Sequence, residues 1–210
     1  MKKIIAFVFL FGVLSSQAQV TFRPGIQAGL NLAKLTSTEL GIKPDFYIGG
    51  FGALRISKLY TLQPELTYSR QGGKGNQVVG TQTTYNPQTN MYTNSVVSAD
   101  VNASLQYISA ITINKFNFNE NLYALVGPFF DILVADDFKT NPEGLERNFS
   151  KGQDIDLGIV AGCGYSFNQN IAIEARVKKG LTDAYINQYV YSDSTNNLVF
   201  QFGAAYTFGK

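Results

Sequence analysis

The stretch Tyr60-Thr61-Leu62-Gln63-Pro64-Glu65-Leu66-Thr67-Tyr68-Ser69-Arg70-Gln71 decides how this chain is read. Its even positions carry Tyr, Leu, Pro, Leu, Tyr and finally Arg, while its odd positions carry Thr, Gln, Glu, Thr, Ser and Gln. A period of two, with one apolar and one polar face, is the signature of an extended strand. In a soluble sandwich the apolar face would meet a second sheet. In a membrane barrel it would meet hydrocarbon, and the polar face would line the interior. The segments on either side decide between the two.

Seven further segments read as strands: 22–33, 46–57, 101–114, 122–135, 153–167, 171–179 and 198–208. The first places Phe22, Pro24, Ile26, Ala28, Leu30 and Leu32 on one face, opposite Arg23, Gln27 and Asn31. Segment 46–57 sets Phe46, Ile48, Leu54 and Ile56 against Tyr47, Phe51 and Arg55, with four glycines blurring the alternation. In segment 101–114 the apolar residues Leu105, Tyr107, Ile111 and Ile113 are expected on the outer face, with Asn102, Ser104, Gln106, Thr112 and Asn114 inward; Ile108 and Ser109 break that pattern. Segment 122–135 has a strongly apolar face from Leu122 to Val134 and a mixed one with Tyr123, Phe129 and Asp131. The last three segments alternate cleanly, with Asp154, Asp156, Glu174, Arg176 and Lys178 on the polar side.

The gaps between the eight segments alternate long and short. Small outer-membrane barrels have this rhythm, with short turns on one side and long loops on the other, and a sandwich has no reason to keep it. The strand lengths also suit a tilted crossing of a bilayer, which takes about 9–11 residues. The expected fold is therefore an all-β, eight-stranded, antiparallel up-and-down transmembrane β-barrel, whose even strand count closes without an edge. The longest gap, roughly 72–100, is rich in Thr, Gln, Asn and Ser with a turn cluster at Asn86-Pro87-Gln88-Thr89-Asn90. Its composition fits either a hairpin continuing beyond the membrane or a disordered loop.

The chain opens Met1-Lys2-Lys3, continues with eleven apolar residues from Ile4 to Leu14, and reaches Ser16-Gln17-Ala18. This reads as a signal peptide over 1–18, cut after Ala18, followed by one barrel domain over 19–210. The apolar run falls short of the roughly 20 residues a membrane helix needs. Losing Lys2 and Lys3 leaves 15 basic against 15 acidic residues. A neutral chain without a basic cluster is not expected to bind nucleic acid. The single cysteine, Cys163, rules out an internal disulfide framework.

With hydrocarbon outside, the charged faces must enclose water or one another, because unpaired buried charges are costly. An eight-stranded barrel is just wide enough for side chains to fill its bore. A structural polar network in a plugged lumen is thus expected from Arg55, Glu65, Asp156, Glu174 and Arg176. Aromatic residues should form girdles at the strand ends: Phe22, Tyr60, Tyr165, Tyr206 and Phe208 on the turn side, and Phe46, Tyr68 and Phe200 on the loop side.

Several motifs carry a resemblance: Gly29-Leu30-Asn31, Gln63-Pro64-Glu65-Leu66-Thr67-Tyr68-Ser69 with Gly72-Gly73, and Gly127-Pro128-Phe129. Further on are Asp156-x-Gly158-x-x-x-Gly162-x-Gly164, Glu174-Ala175-Arg176 with Gly180-Leu181-Thr182-Asp183, and the aromatic last strand. Together they make the whole mature chain similar to the PorT-like family of small outer-membrane β-barrel proteins of Gram-negative bacteria. The resemblance implies residence in the cell outer membrane and delivery by the barrel-insertion machinery, with Phe208 as the insertion signal. Two departures stand out. Leu105-Gln106-Tyr107-Ile108-Ser109 lacks the acidic residue and Pro often found there, and Gly209-Lys210 follows the terminal aromatic. The family's name comes from a secretion component, but the resemblance alone carries no secretion role here.

No histidine occurs in the 210 residues. Hydrolases and acyltransferases of outer-membrane barrels rely on His as base or orienter, so no enzymatic activity is expected. No His/Cys metal cluster is present, and no cofactor is expected. Asp136-Asp137 and Asp154/Asp156 read as solvated loop acids rather than a calcium site, and Cys163 as a small lipid-facing filler. The expected role is a structural or interaction barrel presenting its loops outside. An accessory subunit of an outer-membrane transport or secretion complex is the alternative, and a soluble exported binding barrel is the third reading.

Overall fold

The Tyr60 stretch forms the lower part of a 27-residue strand, and its two faces separate as the alternation requires. Thr61, Gln63, Glu65, Thr67, Ser69 and Gln71 are all buried, whereas Leu66 on the other face is 61% exposed. The computed structural model describes residues 20–187 and 194–209. The expected signal peptide, Tyr189, Tyr191 and Lys210 lie outside the described residues.

Among the described residues ten strands follow one another: β1 (Thr21–Leu35), β2 (Lys43–Arg55), β3 (Tyr60–Asn86), β4 (Met91–Asn117), β5 (Leu122–Asn141), β6 (Phe149–Lys151), β7 (Ile155–Ser166), β8 (Ile171–Gly180), β9 (Tyr185–Asn187) and β10 (Asn197–Thr207). Eight of them close into a barrel in the order β1-β10-β8-β7-β5-β4-β3-β2, and β6 pairs with β9 in a small separate sheet. Every neighbouring pair is antiparallel. In this ring β8 stands opposite β3, and β10 opposite β4.

Between the two rings of aromatics the barrel exterior is dominated by apolar side chains. Leu30, Ile48, Ile132, Leu157, Ile159, Ile173 and Phe202 are among its many exposed large side chains. A continuous apolar belt of this kind belongs in hydrocarbon rather than water. Rings cluster at the strand ends, where amphipathic aromatics prefer to sit. On the turn side, Tyr60 meets Phe116 at 5.7 Å, Tyr165 meets Phe167 at 5.4 Å and Tyr206 meets Phe208 at 5.3 Å. On the loop side Phe46 and Tyr68 lie 6.0 Å apart.

Strand β4 turns the opposite way from expectation. Leu105, Tyr107, Ile111 and Ile113 are buried inside the barrel, and Ala110 and Thr112 face out. Register forces this, because directly paired residues of antiparallel strands share a face. Ile111 pairs with Glu65 on one side and Phe129 on the other, both of which point inward. Inward glycines make room for inward rings. A Cβ on Gly164 would stand 2.3 Å from Tyr123 Cζ, one on Gly158 2.5 Å from Phe129 Cζ, and one on Gly203 2.1 Å from the Tyr47 hydroxyl.

The 72–100 gap is a hairpin. β3 and β4 stay paired to Asn86↔Met91, with a bulge at Val79 that turns this side chain inward. β2 starts at Lys43 and β5 runs to Asn141, so both strands take up residues expected in loops. Above the bore the loops carry an apolar core of their own. Leu35, Leu40, Val79, Ala99, Val101, Ala103, Leu105, Tyr107, Phe149, Ala184 and Tyr185 pack together there.

Candidate functional site in the barrel lumen

Inward-facing residues on β1, β3, β4, β5 and β8 meet in the bore because each strand presents alternate side chains to it. Arg176 on β8 reaches across to Glu65 on the opposite strand β3. It donates from Nη1 to Oε2 at 2.7 Å and from Nη2 to Oε1 at 2.9 Å. Its Nε also donates to Glu174 at 2.8 Å, its Nη2 bonds Glu174 as well, and Gln27 on β1 accepts from Nη2 at 3.0 Å. Glu65 further accepts from Gln27 and Gln63, each at 2.7 Å. Glu174 accepts from Lys115 Nζ at 2.8 Å and from the Tyr123 hydroxyl at 2.6 Å. Two carboxylates thus face two cations, and the fork geometry of the guanidinium fixes the pair bidentately.

A second group lies further toward the loops. Lys178 donates to both oxygens of Asp131, at 2.8 and 2.6 Å, and to Ser109 at 3.0 Å. The Lys178 ammonium sits 4.2 Å from the Phe129 ring centroid. Gln71 donates to Asp131 at 3.1 Å. Asp156 accepts from the backbone N–H groups of Leu181 and Thr182 at 3.2 Å and from the Thr182 hydroxyl at 2.9 Å. Asn197 on β10 donates to Asp156 at 3.3 Å and, across the bore, to the Tyr107 hydroxyl on β4 at 3.1 Å. Among the described residues, direct bonds between opposite strands therefore bridge the bore at two places; Glu65, Glu174 and Asp131 are held by cations, whereas Asp156 is held by neutral donors.

Of the five network residues named from sequence, the structure brings Glu65, Glu174 and Arg176 into one cluster. Asp156 is buried, 1% exposed, in the loop-side group instead. Arg55 is exposed at the last position of β2, four residues past Phe51, the partner of Glu65. The charged face fails there because the bore opens to solvent at the strand ends. Asp154 is likewise exposed and pairs with Lys151 at 2.6 Å, since β7 begins only at Ile155. Lys115, Tyr123, Gln27 and Gln63 complete the cluster and were not singled out. Lys115 has the same parity as Ser109, the residue that broke the expected β4 pattern, and this parity was the available signal.

Arg23 lies at the turn-side mouth and holds the end of the chain. It donates to the carbonyls of Phe208 (3.3 Å) and Gln169 (3.0 Å) and also to that of Gly209. Asn170 donates to the carbonyls of Thr207 and Gly209 at 2.7 and 2.9 Å. Phe208 itself is exposed on the outer face, and its N–H bonds the Pro24 carbonyl at 2.8 Å.

Residues 16–185 match the model of the outer membrane protein beta-barrel domain. The chain belongs to that family. Similar solved structures include Neisserial surface protein A, NspA (16% identity, 89% of this chain and 97% of that one, TM-score 0.49). Another is the attachment invasion locus protein Ail of Yersinia pestis (13% identity, 89% and 98%, TM-score 0.46). A third is Outer Membrane Protein W of E. coli (13% identity, 90% and 100%, TM-score 0.42). No curated protein matches the chain. As an outer membrane protein beta-barrel, the protein resides in the outer membrane, with lipid around its apolar belt.

Proposed function

We propose that this barrel is a non-conducting, non-enzymatic anchor that holds its loops, above all the β3–β4 hairpin, outside the cell as structural or interaction elements. The observation that carries this reading is the Arg176–Glu65 bridge between opposite strands, which spends the strongest charged groups of the bore on one another. The apolar core of the loops adds a second closure above it. Reconstitution into planar bilayers tests the proposal: a silent membrane is expected, and large, steady channel currents would overturn it.

Within the family, the chain is assigned to the PorT-like group on the motifs quoted above. The glycines of the Asp156-x-Gly158-x-x-x-Gly162-x-Gly164 motif support this by their use: Gly158 and Gly164 leave space for Phe129 and Tyr123. Export is assigned to residues 1–18, removed after Ala18, and insertion to the barrel machinery reading Phe208. Mass spectrometry of the membrane form, with a mature chain starting at Gln19, checks the first assignment. The accessory-subunit role would be favoured instead by a stoichiometric partner retained after mild detergent extraction.

A further inference from the structure

The upper half of the hairpin has a surface that neither lipid nor the barrel uses. Residues 81–96 are exposed without exception. β4 loses its outer neighbour beyond Asp100↔Asn141, and β3 loses β2 beyond Tyr47↔Ser69. The direct pairs Tyr85↔Tyr92, Thr83↔Asn94 and Thr81↔Val96 put six side chains on one face. Ala99 and Val101 of β4 turn into the interior, and the even residues Tyr92, Asn94 and Val96 lie on the opposite face of the strand. Tyr92 is 74% and Val96 64% exposed, and the Tyr85 and Tyr92 rings meet at 5.0 Å.

This patch is not a membrane girdle. Tyr68 pairs with Ile108 at the loop-side ring of aromatics. Tyr92 lies sixteen residues further along β4, roughly 50 Å of strand at about 3.3 Å per residue. Charged Lys74 and Asp100 stand between. Nor is the segment guarded as free strands usually are, by charge or by proline within the strand. From Gly75 to Ala99 there is no Asp, Glu, Lys or Arg, and the only proline is Pro87 in the turn.

We propose that this face is a self-association surface, on which a second copy of the chain in the same membrane packs its own Thr81–Thr83–Tyr85–Tyr92–Asn94–Val96 face. Two copies inserted in the same sense are related by an axis along the membrane normal, so the same patch meets itself. Any charge in such a patch would sit near its own copy, and the run of 25 uncharged residues removes that penalty. Tyrosine with Thr and Asn suits a contact that gives large area at low entropic cost. Six side chains are fewer than the roughly 20–30 residues a side of a standard interface, so the contact is weak. Confinement to two dimensions in the membrane raises the effective concentration that such a weak contact needs. The inference rests on the reading that the hairpin stands outside the cell.

The test uses the full chain carrying Cys163→Ser and Asn94→Cys. Labelling of intact cells by a membrane-impermeant maleimide is expected at position 139 of a chain carrying Cys163→Ser and Lys139→Cys, off the proposed contact, where the native Lys139 side chain is exposed, and failure to label there would remove the outside reading itself. In phospholipid vesicles at low protein density, mild copper-catalysed oxidation is expected to give a covalent dimer. Adding Tyr85→Glu and Tyr92→Glu should cut its yield about tenfold or more, as like-charge juxtaposition across an interface does. A control carrying Cys163→Ser and Lys139→Cys should give little dimer. Labelling without dimer, equal yields for positions 94 and 139, yields indifferent to the two glutamates, or a dimer seen only when lipopolysaccharide is present would each overturn self-association and leave the outside reading intact.

Discussion

Arg176→Met is the sharpest perturbation of the bore. Methionine keeps much of the length and removes every donor. The Arg176 side chain is 1% exposed, and Glu65 on the far strand is 0% exposed. Before the change, Glu65 and Glu174 are balanced by Arg176 and Lys115. After it, Lys115 still holds Glu174 at 2.8 Å, and Glu65 keeps only the amides of Gln27 and Gln63. Removing one partner of a buried pair costs about 3–5 kcal/mol, because the other charge is left uncompensated. The remaining amide donors place the expected loss near the lower end, about 3 kcal/mol. Adding Glu65→Gln removes the orphaned charge, so the double variant should recover about 2 kcal/mol of that loss. Equilibrium urea unfolding in lipid vesicles, followed by far-ultraviolet circular dichroism, reads both numbers. A loss below about 0.5 kcal/mol, the scale of an ordinary surface substitution, would refute the argument. So would a double variant no more stable than Arg176→Met alone.

Other perturbations probe other parts of the same design. Gly164→Val drives its side chain into the Tyr123 ring and should cost about 1–3 kcal/mol by overpacking, with Tyr123→Leu restoring part of it in the same unfolding assay. Tyr185→Ala removes the ring stacked on Phe149 at 5.9 Å and the hydroxyl donated to Gln77 at 2.8 Å. It should raise hydrogen exchange in the loop core while leaving the barrel strands protected. Glu146 accepts from Thr140 at 2.8 Å and Gly144 at 2.9 Å. Its own backbone N–H, then the Thr140 hydroxyl, hold its carboxyl below the ordinary range. A depressed value means the loop contact is fully present above the ordinary pKa of about 4.3 and lost as pH falls through the lowered one. NMR of the Glu146 side chain should therefore show its titration moving upward in Thr140→Val.

Strands whose inner and outer faces differ in polarity were legible from alternation alone. β1, β3, β8 and β10 have Gln, Glu, Arg, Lys or Asn inside and Leu, Ile, Phe or Tyr outside, so period and polarity agree. β4 defeats that rule because much of the bore it faces is apolar. Val101, Ala103 and Leu105 belong to the loop core, and Ile111 and Ile113 to a second buried cluster with Leu125, Phe129 and Val160. Periodicity gives two faces but no sign, and only Ser109 and Lys115 marked which was inner. The Glu65–Glu174–Arg176 grouping was readable as charges that share the inward parity. Which acid meets which base was not, because it depends on strands that are far apart in sequence and opposite in the ring. The hairpin's neutral Thr, Val and Tyr suit strand and disordered loop alike, so its order is decided by pairing over its whole length.

Hydrocarbon covers the outer face of the barrel. The chain carries its own probe in Cys163, exposed on that face of β7, with exposed Ile159 four residues before it on the same strand. Spin labels at Cys163, and at Ile159→Cys in a Cys163→Ser background, should relax in bilayers through dissolved oxygen far more than through a water-soluble nickel chelate. Preferential relaxation by the nickel chelate at both positions would contradict the account.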